Sequence, residues 1–206
     1  MPERLSPYGQ EEAQFLIDHF SSQWEVPSEK PKNPVVLMFA GLQGSGKSAV
    51  INELKKDLPL ISVSLDEVRQ SLFNQGWQYG EEFNEVVKTV SAELVNRAFK
   101  TGCHVALDTN AKPQRREDMV LSLKDQHYFA YRLVVVSLQT SPETLRRRVG
   151  ERQSLTGTYR GTLNELEFSL KESQEWAEQT YDLTLDTEQM IVEEEALAIK
   201  EVINRG

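Results

Sequence analysis

The stretch VVLMFAGLQGSGKSAV, Val35 to Val50, joins an unbroken apolar run to a loop with three glycines, a lysine and two serines. Such a run, with no polar alternation, reads as a strand buried on both faces. The loop fits Gly41-x4-Gly46-Lys47-Ser48, the Walker A phosphate pattern, and lies between strand and helix as its mechanism requires. Gly41, Gly44, Ser45 and Gly46 let backbone N–H groups converge on phosphate oxygens, and the new helix adds its positive end. Lys47 would reach the β- and γ-phosphates of a nucleoside triphosphate, and the Ser48 hydroxyl would hold Mg²⁺. An ordinary glycine turn is the plainer alternative, and the strand–loop–helix setting disfavours it.

Outward from this loop, apolar runs alternate with helical stretches. LISVSL (Leu60–Leu65) precedes a polar helix from near Asp66. Glu81 to Thr101 reads as a long helix closed by Gly102, with CHVALD as the next strand. Helices are predicted over Pro113–Gln126, from Glu143 to near Gln153, over Thr162–Gln179 and over Val192–Asn204. YRLVVVSL and YDLTLD are the remaining strands. The alternation predicts an α/β three-layer sandwich of the P-loop NTPase type, a parallel sheet of about five strands flanked by helices. Before it, Glu11 to Trp24 sets Phe15, Leu16, His19 and Phe20 at helical spacing, and the proline-rich Pro27–Pro34 cannot continue that helix. The expected division is residues 1–34, an N-terminal helix and connector without a core of its own, and residues 35–206, the nucleotide-binding domain.

The 206 residues, 39% hydrophobic, suffice for one full core. A net charge of −9 argues against coating long nucleic acid by bulk electrostatics, though it leaves room for a local basic cleft. The single cysteine, Cys103, excludes an intramolecular disulfide and a Cys-based metal cluster, and its apolar setting reads as core. No signal pattern and no apolar run of membrane length is present, so the expectation is a soluble cytoplasmic protein without a membrane partner.

Ligands of open parallel sheets bind beyond the carboxyl ends of the strands, where this sequence delivers carboxylates. Asp66 follows LISVSL and could accept the proton of an attacking hydroxyl, or simply cap a helix. Arg69, one turn on, could orient an anionic group of the acceptor or pair with a neighbouring acid. Asp108 ends CHVALD where a Walker B acid would stand, able to order the metal's water shell, to fix Arg69, or to cap the helix after Pro113. Arg115 and Arg116 add charge nearby, and a solvated helix end explains them equally well. Finally LRRRVGERQSLTGTYRG carries Arg146, Arg147, Arg148, Arg152 and Arg160. Arg148 and Arg152 share a helix face, and the polar stretch with Gly157 and Gly161 suits a movable lid, about residues 148–165. Arginines of such a lid could stabilise transition-state charge, with an exposed basic helix as the alternative.

Four segments in this order, GLQGSGKS, SVSLDEVRQSL, LDTNAKPQRRED and RVGERQSLTG, resemble the kinase domain of phage-type polynucleotide 5′-hydroxyl kinases. The wider group is that of P-loop kinases, which includes zeta toxins and small-molecule kinases, and the likeness spans about Val35 to Gln174. It implies Asp66 as general base, Arg69 on the acceptor's phosphate, Asp108 supporting Arg69, and Arg148 and Arg152 clamping the donor phosphates. The phosphatase domain of the phage-type enzymes, with its DxDGT signature, has no counterpart in the sequence, so linked end-repair activities are not implied.

The leading expectation is therefore an ATP- and Mg²⁺-dependent kinase transferring the γ-phosphate to a hydroxyl, with the 5′-OH of a polynucleotide as one acceptor. Lys47, Asp66 and Arg152 would carry the chemistry. A kinase of a small molecule, such as a sugar, nucleotide sugar or antibiotic, keeps the same chemistry, and the acidic charge favours it. A nucleotide switch that hydrolyses ATP slowly or not at all has no need of a base such as Asp66. No NKxD-type guanine-reading motif is present, which leans the donor toward ATP.

Overall fold

The computed structural model describes residues 5–125, 130–153, 162–173 and 179–205. Its centre is β1 (Val35–Ala40), whose six residues are all buried. Side chains alternate across a strand. Val36, Met38 and Ala40 accordingly enter one apolar cluster, while Val35, Leu37 and Phe39 enter another on the opposite face. Flanking β1 are β3 (His104–Asn110) and β4 (Arg132–Gln139), with β2 (Leu60–Ser64) and β5 (Leu183–Asp186) at the edges. The order is β2-β3-β1-β4-β5, and every pairing is parallel. Parallel neighbours need crossovers, so each strand is followed by helix.

On the first face lie α1 (Pro7–Ser22), α3 (Leu65–Asn74), α4 (Glu81–Lys100) and α5 (Pro113–Asp125). Opposite are α2 (Lys47–Leu54) and α8 (Val192–Asn204), which bring Ile51, Leu54, Ala196 and Ile199 against the sheet. The last pair, α6 (Pro142–Gln153) and α7 (Leu163–Ser173), builds a separate small cluster from Leu145, Val149 and Leu166, with Leu42 of the glycine loop packed on it. Three layers result, as the alternation of elements predicts. Among the described residues no helix is long and apolar enough to cross a membrane.

Differences from the sequence reading are local. α1 begins at Pro7 rather than Glu11, because Ser6 caps it by accepting from the Gly9 N–H at 3.0 Å and proline is tolerated in the first turn. Its buried stripe runs through Ala13, Leu16 and Ile17, leaving Phe15 exposed and stacked on His19. α1 has no separate core; Leu16 and Ile17 join the cluster beneath α4, and Arg97 of α4 donates to Asp18 at 2.7 Å. The helix expected over Thr162–Gln179 is α7, which ends its described course at Ser173; residues 174–178 lie outside the described residues, and 179–180 are not helical. Gly102, with φ of 74°, turns the chain out of α4 as expected, and Cys103 is buried.

Candidate active site

The glycine loop opens at the carboxyl end of β1, and its glycines have distinct duties. Gly44 and Gly46 take φ of 89° and 101°, the left-handed region that side chains disfavour. At Gly41 the constraint is space, since a Cβ there would fall 2.4 Å from the Ser45 Oγ. That hydroxyl is buried and, among the described residues, has no hydrogen-bond partner. Lys47, the first residue of α2, folds its ammonium over the loop and donates to the carbonyls of Gly41 at 2.8 Å and Leu42 at 3.0 Å. Burial pushes this ammonium down to about 8; the charges of Asp108 and Asp66 oppose the shift and that of Arg152 adds to it. Both carboxylates and one lid arginine therefore act on the same cation.

Beside Lys47, the Ser48 hydroxyl donates to Asp108 Oδ2 at 2.7 Å. A register shift delivers Asp108 there. β1 and β3 pair residue for residue up to Met38 and Leu107, and Phe39 then faces Asn110, so Asp108 and Thr109 bulge from the ladder. Asn110 closes the bulge, accepting from the Gly41 N–H through Oδ1 at 3.3 Å. Asp108 lies inside β3, ahead of α5, and a helix-cap role does not apply to it.

Asp66 is likewise released from capping. The cap of α3 is Ser64, whose hydroxyl accepts from the Glu67 N–H at 3.4 Å. Asp66 stands in the first turn with its side chain 59% exposed, and Arg69 Nη1 donates to it at 2.8 Å. Arg69 is thus paired with Asp66, and Asp108 accepts from Ser48.

The arginines of the LRRRVGERQSLTGTYRG segment divide. Arg146 forks onto Glu167 at 2.6 and 3.0 Å, clamping α6 to α7, and Arg147 pairs with Glu151 at 3.2 Å along its own helix. Arg148 and Arg152 turn to the loop instead. Arg148 donates to the carbonyls of Gly44 and Thr187, each at 3.2 Å, and Arg152 Nη2 lies 3.4 Å from where a Gly44 Cβ would stand. Arg160, Gly157 and Gly161 lie outside the described residues.

The site thus gathers Gly41, Gly44, Ser45, Gly46, Lys47, Ser48, Asp66, Arg69, Asp108, Arg148 and Arg152 around one loop. Sequence reasoning missed Asn110, which accepts from the Gly41 N–H, and Thr187, whose carbonyl accepts from Arg148; both partners lie far away in the chain. It also left Arg115 and Arg116 equivalent, and they are not. Arg116 donates to the Thr180 carbonyl at 2.9 Å and lies 5.4 Å over the Tyr181 ring. Arg115 reaches the bulge, donating to Thr109 Oγ1 and, at 3.1 Å, to the Asn110 carbonyl.

A phosphate loop with its lysine, a serine–aspartate pair and two arginines over a five-stranded parallel sheet defines a P-loop protein of the kinase-like class. The chain belongs to the AAA domain family, whose model matches residues 36–167. No curated protein sequence matches it. Among solved structures it is similar to a provisionally named kinase from Chloroflexus aurantiacus j-10-fl, at 18% identity and a TM-score of 0.64, covering 85% of this chain and 98% of that one. A gluconokinase from Sinorhizobium meliloti 1021 shares 16% identity at a TM-score of 0.56, over 86% and 94% of the two chains. A chain of the Pnkp1/Rnl/Hen1 RNA repair complex shares 20% identity at a TM-score of 0.51, over 70% of this chain and 48% of that one.

Proposed function

We propose that this protein is a kinase that transfers the γ-phosphate of ATP to a hydroxyl acceptor, with Asp66 as general base. One observation carries the reading. Asp66, exposed and without a capping role, acts electrostatically on Lys47, so a candidate base for the acceptor lies within electrostatic reach of the cation for the donor phosphates. The acceptor oxygen attacks the γ-phosphorus while its proton passes to Asp66; the bond to the bridging oxygen breaks and ADP leaves. Lys47, Arg148 and Arg152 neutralise the charge that develops on the phosphates.

The donor set suits magnesium. Among the described residues no group of three or more His, Cys, Asp or Glu could hold a metal. Ser48 and Asp108 supply one hydroxyl and one carboxylate, the sparse protein share that Mg²⁺ takes when phosphates and water complete its shell. Bound there, the ion would neutralise phosphate charge, and Ser48 and Asp108 would hold it.

For the acceptor, the DxxR segment with Arg69 supports the 5′-OH of a polynucleotide, with Arg69 on the adjoining phosphate. The similar folds include a gluconokinase and a chain of an RNA repair complex, so fold alone spans both acceptor classes. The net charge of −9 favours the second reading, a small hydroxyl compound. Transfer from γ-labelled ATP to 5′-OH DNA, 5′-OH RNA and a panel of sugars and small alcohols decides between them. Asp66→Asn, which keeps shape and loses the base, should slow transfer to the true acceptor about 10²–10⁴-fold. Unchanged transfer in that variant removes Asp66 from the chemistry. Hydrolysis without any labelled acceptor leaves the nucleotide switch.

A further inference from the structure

α7 is tied to the rest of the molecule on three successive turns. Leu166, fully buried, packs with Leu145 and Val149 of α6 and with Leu42 of the phosphate loop. Ser169 accepts from Gln43 Nε2 at 3.4 Å, so the residue before Gly44 reaches the same helix. Glu172 receives the Lys112 ammonium on both carboxylate oxygens, at 2.8 and 2.6 Å. Positions three apart stay on one side of a helix, and this side runs from the phosphate loop to the junction of β3 with α5. Lys112 is itself anchored there. The Ala111 N–H before it donates to the Phe39 carbonyl at 2.8 Å, and Asn110 accepts from the Gly41 N–H, which places Lys112 beside the bulge that carries Asp108.

The polar ties of α7 differ in strength. The Gln43–Ser169 bond is long and neutral, and Gln43 Oε1 is buried with no hydrogen-bond partner among the described residues. The Lys112–Glu172 pair is charge-assisted on two oxygens, and its side chains are only 35% and 31% exposed, so water screens it in part. The firmer tie is therefore the one away from the loop. From Glu172 the contacts run on to the donor arginines. The Arg146–Glu167 fork and the Leu145–Val149–Leu166 cluster bind α7 to α6, which carries Arg152 and, one turn before it, Arg148 with its bond to the Gly44 carbonyl.

We propose that Lys112 and Glu172 are positioning residues: their pair holds α7 across the phosphate loop, sets Arg148 and Arg152 against the donor phosphates through α7, and so governs how fast nucleotide leaves. The proposal rests on the kinase reading above for the phosphates that those arginines meet. Neither residue of the pair touches the reacting atoms. Lys112 is the fixed point, on the sheet, and Glu172 the point carried by the helix. With the pair parted, the tie of α6–α7 to the loop is left to the Leu42 packing, the long Gln43 bond and Arg148 itself. Nucleotide release requires Arg148 and Arg152 to leave the phosphates, so a weaker hold on α7 quickens it. The same strand end that sets Asp108 against Ser48 thereby also sets the donor arginines.

The test uses the full chain and a fluorescent ADP analogue, whose release into excess ADP is followed by stopped flow. Wild type is compared with Lys112→Ala, with Glu172→Gln, and with the exchanged pair that combines Lys112→Glu and Glu172→Lys. Release should quicken about two- to fivefold in each single variant, the range expected for a partly exposed charge pair. The exchanged pair should return release toward the wild-type rate, which a generally loosened fold would not do. Raising salt should quicken release from wild type by more than from Lys112→Ala, because that variant has already lost the ion pair. Release unchanged in both single variants overturns the proposal, and so does quickened release that the exchange fails to slow. Label transfer from γ-labelled ATP is read separately. Transfer by wild type with release indifferent to the pair strikes the positioning role and leaves the kinase reading; pair-dependent release without any transfer does the reverse.

Discussion

Lys47 shows how one residue couples the chemistry to pH. Its ammonium titrates near 8 where the free side chain would titrate near 10.5, because the loop has removed it from water. A lysine with a depressed folded pKa weakens the folded state wherever the unfolded chain holds the proton. That penalty is complete below about pH 8 and fades as pH rises toward 10.5. Nucleotide phosphates reverse the shift, since an anion stabilises the ammonium. Binding ADP near pH 8.5 should therefore take up a proton, visible as a buffer-dependent enthalpy, and affinity should fall as pH rises above 8. Lys47→Met should bind more weakly and show no such uptake, and turnover should be lost with it. Persistent proton uptake in that variant would assign the titration elsewhere. Asp108 acts on Lys47 from β3 and Asp66 from α3, so no local sequence pattern could have foretold this value.

At the scale of elements, the pair α6–α7 is docked through a small apolar cluster and the Arg146–Glu167 fork, separate from the two clusters that cover the sheet. It brings Arg148 and Arg152 to Gly44. If these arginines serve mainly the transition state, Arg152→Ala should lower kcat by more than it weakens ATP binding. A single-turnover measurement beside an equilibrium titration checks this; equal losses would mark a ground-state clamp. On that reading the double variant with Arg148→Ala should cost less than the sum of the single losses, since both arginines would act on one phosphate chain. Helix periodicity made the shared face of Arg148 and Arg152 legible. It could not separate them from Arg146, whose partner Glu167 lies on another helix.

For the whole molecule, α1 is the informative case. The sequence reading sets residues 1–34 apart as a helix and connector, packed on the domain over 35–206 and without a core of its own, and Leu16 and Ile17 are 1% and 3% exposed within the main core cluster. Burial of two such side chains contributes about 3–6 kcal/mol, a large share of an ordinary domain's stability. A chain beginning at Asn33 should therefore melt well below the full chain and expose the apolar face of α4 to dye binding. Unchanged melting would show that residues 35–206 stand alone.

What the sequence determined by itself is the frame: unbroken apolar strands, helical spacing between them, and a phosphate loop whose glycines and lysine carry their meaning locally. Buried parallel strands need no partner to be recognised, because both faces are apolar, and the loop's chemistry is confined to eight consecutive residues, Gly41 to Ser48. The tertiary structure alone decided which charges meet. The bulge that sets Asp108 against Ser48 arises from pairing between β1 and β3, and the divergence of Arg115 from Arg116 follows from what each finds across the sheet end. Electrostatic partners are chosen by distance in space. Asp66 and Asp108 stand forty-two positions apart in the chain and act on one lysine.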